Sequence, residues 1–393
     1  MRRLSWARAA GVAGATAGLS ALGVAGAGIA AATTHAQAAA SGRGTIYVTH
    51  VNGPSSVPFP YMDTVTPVKG GAVLPAVTVG DEPSAIAAAP NGKTVYVTNT
   101  GAGTVGRTVT PIRVATNKAS KAIKVGKSPV AIAITPNGRT GYVANAQSDT
   151  VTPFATATGQ AGHAIKVGQD PDVIAITPNG KTVYVVNAIS NTVTPIRVAT
   201  GQAGQAIKVG DDPVAIAITP NGRTAYVVNS GSASVTPIRT AANKAGKAIA
   251  VGKLPEAIVI APNGKTAYVA SQNAGTVTPI ATATNKAGTP IATGGSPLAL
   301  AVTPNGKTVY AVNAGALSFY DSTVTPITTA TGTAGTPITV GYEARAIAIT
   351  PNGRTAYVVN YFSSTISAIN TATNAVSAPV NVGAYPWAIA IAP

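Results

Sequence analysis

Four short hydrophobic segments recur in a fixed order along most of the chain. In one well-preserved copy, small and large apolar residues alternate over residues 215–218, and an aromatic residue precedes two β-branched residues over 226–228. Segments of the form Thr-Val-Thr-Pro-Ile and Ile-Lys-Val-Gly then follow. A period of two, β-branched residues and bounding turn residues are typical of β-strands. Each repeat therefore predicts four strands.

The turn Pro-Asn-Gly-Lys/Arg sets the length of the repeat. Its intervals are 46, 42, 42, 42, 42 and 47 residues, and it begins at Pro90, Pro136, Pro178, Pro220, Pro262, Pro304 and Pro351. Repeats of this length with several short strands indicate the blades of a β-propeller. The aromatic segment, Tyr-Val or a variant, occurs eight times, at Tyr47, Tyr96, Tyr142, Tyr184, Tyr226, Tyr268, Tyr310 and Tyr357. The alternating segment also occurs eight times, so both counts predict eight blades.

The aromatic segment also carries a family resemblance. Residues 96–99 read Tyr-Val-Thr-Asn and residues 184–187 read Tyr-Val-Val-Asn. The chain resembles the YVTN-repeat β-propeller family over essentially everything after residue 40. The resemblance implies a propeller, often described as seven-bladed, and does not specify a ligand. Related propellers include lactonases, a streptogramin lyase and haem- or quinone-dependent oxidoreductases.

The order of the segments predicts how the ring closes. The first repeat begins at its second strand, over residues 45–48, and the chain ends on a lone first strand over 388–392. We therefore predict an all-β, eight-bladed propeller of four-stranded antiparallel blades, in which a C-terminal inner strand joins the three N-terminal strands. Residues 41–393 then form a single domain. Seven third strands contain a proline, which has no N–H, so we expect a bulge or an early strand end there.

The first forty residues differ in kind from the repeats. Arg2, Arg3 and Arg8 precede a stretch rich in Ala and Gly, and small residues alternate over 36–40. This pattern predicts a signal peptide over residues 1–40 and a secreted or envelope-associated protein. The alternative is a retained membrane anchor. Cysteine is absent, which excludes disulfides and thiolate metal sites.

Charge divides between the two faces of the predicted disc. We call the face with the connections between strands one and two, and between strands three and four, the lower face, and the opposite one the upper face. All 11 acidic residues fall in upper connections: Asp63, Asp81, Glu82, Asp149, Asp170, Asp172, Asp211, Asp212, Glu256, Asp321 and Glu343. The lower connections hold 17 basic residues: Arg43, Lys69, Lys93, Arg113, Lys118, Lys121, Arg139, Lys181, Arg197, Arg223, Arg239, Lys244, Lys247, Lys265, Lys286, Lys307 and Arg354.

A cationic face of this kind is expected to attract polyanions such as cell-wall polymers, acidic lipid surfaces or nucleic acid. The alternative is that a repeated turn carries Lys or Arg for solubility alone. No aromatic residues are interleaved with these cations, so sequence-specific recognition of nucleic acid is not supported.

One position of the repeat differs between most blades, although the neighbouring positions are nearly constant. The residue just before each alternating segment, here called the ring position, is Ser84, Val130, Asp172, Val214, Glu256, Leu298, Arg345 or Trp387. We expect it to line the upper mouth of the central channel, where a pocket would form. Upper-loop aromatic residues cluster in blades seven, eight and one. The candidate ligand site is Phe59, Tyr61, Asp172, Glu256, Phe319, Tyr320, Tyr342, Arg345, Tyr361, Phe362, Tyr385 and Trp387.

Two interpretations of the aromatic group remain open. It could recognise a sugar, a peptide or a planar ligand. It could instead pack over the closure seam and only stabilise it.

Histidine is nearly absent, which disfavours catalysis. His35 lies in the leader, and His50 and His163 lie in different repeats. We predict no catalytic residue, no metal site and no cofactor, although the upper acids could hold Ca²⁺. The sequence favours a monomeric, non-catalytic binding or structural module, with an envelope polymer or protein as partner. The alternative is a lactonase-like hydrolase that uses Glu256, Asp172, Arg345 or His50 at the upper channel mouth.

Overall fold

Eight antiparallel sheets form a propeller ring in the computed structural model, which describes residues 44–51, 63–101, 105–314 and 321–393. We number the blades by their second strands in chain order. The inner strands of blades two to eight and then one are Pro83–Ala88, Pro129–Ile134, Pro171–Ile176, Pro213–Ile218, Pro255–Ile260, Ser296–Val302, Ala344–Ile349 and Pro386–Ala392. The second strands of blades one to eight are Thr45–His50, Thr94–Asn99, Thr140–Asn145, Thr182–Asn187, Thr224–Asn229, Thr266–Ser271, Thr308–Ala314 and Thr355–Asn360.

The outer half of each blade is less regular. The third strands are Thr64–Lys69, Thr108–Arg113, Thr150–Ala155, Thr192–Arg197, Ser234–Arg239, Thr276–Ala281, Asp321–Thr328 and Thr365–Asn370. The fourth strands are short or split: Ala72–Val73 and Val77–Thr78, Lys118–Ala119 and Ile123–Lys124, Ile165–Lys166, Gln202–Ala203 and Ile207–Lys208, Lys244–Ala245 and Ile249–Ala250, Lys286–Ala287 and Ile291–Ala292, Thr333–Ala334 and Ile338–Tyr342, and Val380–Asn381. A 3-10 turn spans Ala146–Ser148. Within the described ranges no helix is long and apolar enough to cross a membrane.

Neighbouring blades stack face to face, so the second strands are buried on both sides. Between blades three and four, Tyr142 and Val151 pack with Val183, Val185 and other apolar residues in one cluster. Burial on both faces explains why these strands are continuously apolar rather than alternating. Because burying apolar area is the dominant favourable term in folding, this stacking holds the ring together without disulfides.

Ring closure follows the prediction. The C-terminal inner strand, Pro386–Ala392, pairs antiparallel with Thr45–His50, with Thr45 opposite Ala392 and Val48 opposite Ile389. The Thr45–His50 strand pairs on its other side with Thr64–Lys69. Blade one is therefore built from both ends of the described chain, and no inner sheet edge is left open there.

The expectation about the third-strand prolines is wrong. The second and third strands stay in register past the proline, as in the pairs Tyr184–Pro195 and Val183–Ile196. The missing N–H falls on the outer side of the strand, where the fourth strand is interrupted between Gln202–Ala203 and Ile207–Lys208. The proline carbonyl there accepts a hydrogen bond from Gly204 N–H at 2.7 Å.

A buried polar residue lies at or next to the end of the second strand in every blade, and in seven blades it hydrogen-bonds to the third strand. We call this residue the clasp. In blade four it is Asn187, whose Nδ2 donates to Thr192 Oγ1 at 3.1 Å and to Thr194 Oγ1 at 3.0 Å. The eight clasp residues are His50, Asn99, Asn145, Asn187, Asn229, Ser271, Asn313 and Asn360.

Candidate functional site

The ring position is set apart by a β-bulge in every blade. In blade three, Pro129 pairs with Asn145 and Ala131 with Ala144, so Val130 is an extra residue between two paired ones. The same register shift occurs at the ring position of the other blades. Bulges re-aim a side chain without ending a sheet. Because every blade has the bulge, it belongs to the scaffold, and only the residue placed on it differs between blades.

Arg345, the ring residue of blade eight, lies at the centre of the seam between blades eight and one. Its guanidinium carbon is 4.7 Å from the ring centroid of Tyr361 and 4.7 Å from that of Trp387. Its Nη2 donates to Glu343 Oε1 at 2.8 Å. Stacking on two aromatic faces and a charge-assisted hydrogen bond hold the side chain in one place.

Three other aromatic side chains surround Tyr361. Its ring centroid is 4.9 Å from that of Phe362, 5.3 Å from that of Tyr385 and 5.8 Å from that of Trp387. These spacings are those of tilted and edge-to-face aromatic pairs. Burial raises the pKa of the Tyr361 hydroxyl, and the nearby Arg345 charge opposes that shift. The structure thus brings together five predicted site residues from blades eight and one.

The cluster has a buried part and an exposed part. Tyr361 and Trp387 are 8% and 9% exposed and pack in the core with Tyr47 of blade one. Phe362 is 55% exposed and Tyr342 is 43% exposed. The first pair therefore stabilises the seam, whereas the second pair presents apolar area to solvent. We call Tyr342, Glu343, Arg345, Tyr361 and Phe362, with Tyr385 and Trp387, the seam patch.

A group of acids lies on the blade-two side of the seam. Asp63 Oδ1 accepts a hydrogen bond from Glu82 N–H at 3.3 Å, and Asp81 is close enough to repel both carboxylates. Burial, aided by the charges of Asp81 and Asp63, raises the pKa of Glu82 to about 7. The Glu82 charge also reaches the Tyr361 hydroxyl. Glu82 is therefore a carboxyl group that changes its charge near neutral pH beside the seam patch.

Replacing this carboxyl group is expected to stabilise the protein at neutral and alkaline pH but not in acid. The pKa of Glu82 rises from 4.5 when unfolded to about 7 when folded, so the folded state holds the proton more tightly, and stability is lost as pH rises from about 4.5 to about 7. We expect Glu82→Gln to gain about 3 kcal/mol over the wild type at about pH 8.5 and almost nothing at about pH 4.

Urea unfolding at the two pH values measures this difference. Asp211→Asn, which removes an exposed upper-face carboxylate, serves as the control and should change stability little at either pH. An equal gain for Glu82→Gln at both pH values would contradict the assignment.

Two other predicted ligand-site residues lie in blades four and six, outside the seam patch, and His50 lies beneath its blade-one side. Asp172 and Glu256 are the ring residues of blades four and six. Glu256 is 2% exposed, and its Oε1 accepts a hydrogen bond from Ser230 Oγ at 3.2 Å. His50 is fully buried as the clasp of blade one, between Thr66 Oγ1 at 2.8 Å and the Ala384 carbonyl at 2.9 Å. Glu256, His50 and Arg345 thus hydrogen-bond to Ser230, Thr66 and Glu343, respectively.

Four predicted site residues lie outside the described residues: Phe59, Tyr61, Phe319 and Tyr320. The predicted signal peptide over residues 1–40 also lies outside them. Among the described residues no group of three or more His, Asp or Glu side chains could hold a metal ion.

Sequence reasoning missed Glu343 and Glu82 as neighbours of the site. Both occupy the position two residues before the ring position, where the backbone is left-handed, with φ of 53° and 52°. Their carbonyls accept hydrogen bonds from Tyr361 N–H and Thr100 N–H, each at 3.0 Å. Comparing the repeats two positions before the ring position would have identified them as variable residues near the ring.

Comparison with known proteins supports the fold and leaves the activity open. A protein-family model described as "Lactonase, 7-bladed beta-propeller" matches residues 108–208, which is 101 of 393 residues. No curated protein matches the chain.

Solved structures show similar propellers. Kuenenia stuttgartiensis hydrazine synthase is 26% identical with a TM-score of 0.59, over 74% of this chain and 96% of that one. The dihydro-heme d1 dehydrogenase NirN is 14% identical with a TM-score of 0.71, over 89% of this chain and 76% of that one. A functionally unknown protein from Desulfotomaculum acetoxidans DSM 771 is 18% identical with a TM-score of 0.58, over 88% of this chain and 98% of that one.

Proposed function

We propose that the protein is an extracytoplasmic, non-catalytic binding module whose ligand rests on the seam patch. The observation that carries the proposal is the exposure of Phe362 and Tyr342 next to the clamped Arg345. Aromatic and arginine side chains dominate the energetics of binding surfaces. Aromatic rings offer large apolar area with few rotatable bonds, and Arg345 is already held in place by its contacts with Tyr361, Trp387 and Glu343. A rigid shelf of this kind suits a sugar ring or an apolar peptide side chain.

The ligand site is tested by the fluorescence of Trp387. Trp6 and Trp387 are the two tryptophans of the chain, so Trp6→Phe leaves a single reporter in the seam patch. In this background the chain is titrated with soluble cell-wall saccharides and with aromatic or aliphatic peptides. We expect one of these classes to change the emission and to bind about tenfold more weakly to the Phe362→Ala/Tyr342→Ala variant.

Ile189→Ala provides the matched control, because Ile189 is a 55% exposed apolar residue in an upper loop of blade four. It should leave the dissociation constant unchanged. The proposal fails if no probe changes the emission, or if the double variant binds as tightly as the wild type.

The second candidate function is a lactonase-like hydrolase, and the match of residues 108–208 to the lactonase family favours it. Against it, Glu256 and His50 hold structural hydrogen bonds, and Arg345 is paired with Glu343. Proton release from a panel of aliphatic and aromatic lactones distinguishes the two. Turnover that disappears in Glu256→Gln would support the hydrolase.

A further inference from the structure

The lower face carries a ring of equivalent cations at a common height. After each Pro-Asn-Gly turn, the asparagine side chain accepts the N–H of the basic residue, at 2.9 Å for Lys93 and 3.0 Å for Arg139, Lys181, Arg223 and Arg354. Consecutive turns also touch, since a Cβ on Gly222 would lie 3.5 Å from Pro178 Cδ. The turns therefore form a rigid, level rim.

Strand pairing adds further cations to this rim. In blade two, Arg113 pairs with Thr94, the neighbour of Lys93, and also with Lys118. In blade five, Arg239 pairs with Thr224, beside Arg223, and with Lys244 in the same way. Adjacent strands are about 4.8 Å apart, so blades two and five each present a radial row of cations, and the lower connections of the other blades add one or two each.

These charges face solvent without carboxylates among them. The 16 lower-face basic residues within the described ranges are all exposed, and the acidic residues of the chain lie in upper connections. Like charges fixed on one rigid face create a strong local potential that attracts an anionic partner.

The shape of the face selects the kind of partner. Equivalent cations at equal height around a disc match a planar array of anions better than a single linear polymer, which would follow a groove. Since Phe362 and Tyr342 lie on the upper face, the lower rim also lacks their stacking surface for nucleic-acid bases. We propose that the lower face docks on the phosphate headgroups of an anionic lipid surface.

Co-sedimentation with vesicles tests the proposal. The full chain is mixed at low salt with vesicles of one third phosphatidylglycerol and two thirds phosphatidylcholine, and with pure phosphatidylcholine. We expect binding to the anionic vesicles only, a loss of binding at high salt, and a partition coefficient about tenfold lower for Lys93→Gln/Arg113→Gln/Arg223→Gln/Arg239→Gln.

The matched control removes the same number of charges elsewhere. Lys124→Gln/Lys166→Gln/Lys208→Gln/Lys253→Gln changes exposed residues of the outer strands and the upper face and should bind like the wild type. Equal loss in both variants, or equal binding to neutral vesicles, would overturn the proposal. Binding to heparin without binding to vesicles would also overturn it and would indicate a polymeric anion.

Discussion

A chain that lacks residues 384–393 is expected to lose cooperative unfolding at room temperature. The deletion removes the inner strand of blade one and leaves Thr45–His50 paired on one side only. It also removes Trp387, Ala388 and Ile389 from the cores at the seam. Truncating one buried tryptophan to alanine costs about 3–5 kcal/mol, so loss of the whole strand should exceed about 5 kcal/mol. That is comparable to the stability of an ordinary domain.

Urea unfolding followed by circular dichroism measures this effect. Ala390→Pro is a milder variant, since it removes one ladder N–H opposite Tyr47 and keeps the chain at full length. It should lower the unfolding free energy by about 3 kcal/mol. A truncated chain with the midpoint and slope of the full chain would show that the ring does not depend on this closure.

The fold could be predicted because the same pattern of strand segments occurs eight times along the sequence. A deviation in one repeat, such as Ser271 in place of the usual Asn, does not hide the pattern that the other repeats share. The first and last repeats are each incomplete, and together they supply the four strands of one blade, which predicts how the ring closes. The third-strand prolines were misjudged because the missing N–H matters only on one side of a strand. That side is decided by the pairing register, which the sequence of one blade does not show.

The candidate site could be predicted only in part. Tyr361 stands out in sequence because the same position holds Thr100, Ala146, Ala188 and Ser230 in other blades. Whether its ring would turn inward depends on Trp387 and Arg345, which come from two different inner strands. The division into buried and exposed aromatics therefore follows from tertiary packing. So does the place of His50, which occupies the clasp position that asparagine holds in most blades.

The two proposed surfaces are compatible because they lie on opposite faces of one disc. A protein docked through the lower rim would hold the seam patch away from the lipid, where a soluble or polymeric ligand can reach it. The acidic residues beside the patch, Glu82 and Asp81 among them, would likewise be kept away from anionic headgroups. Each surface can fail its own test without affecting the other.

Removing a clasp asparagine should cost more stability than any exposed substitution. Asn187 is fully buried, and its Nδ2 donates to both Thr192 and Thr194. Asn187→Ala leaves two buried or partly buried hydroxyls without this donor. We expect a loss of about 2–3 kcal/mol in the free energy of unfolding, since each lost hydrogen bond costs about 1 kcal/mol and an unsatisfied buried group adds to that cost.

Blade six provides both the control and the converse experiment. Its clasp is Ser271, and the buried hydroxyls of Ser271, Thr276 and Thr278 have no hydrogen-bond partner. Ser271→Ala should therefore change stability by less than about 1 kcal/mol. Ser271→Asn restores a donor opposite Thr276 and Thr278, beside Gly252, which occupies the place of Gly168 next to Asn187. It should stabilise the protein by about 1–2 kcal/mol. A loss for Ser271→Asn as large as that for Asn187→Ala would mean that the carboxamide does not act as the clasp.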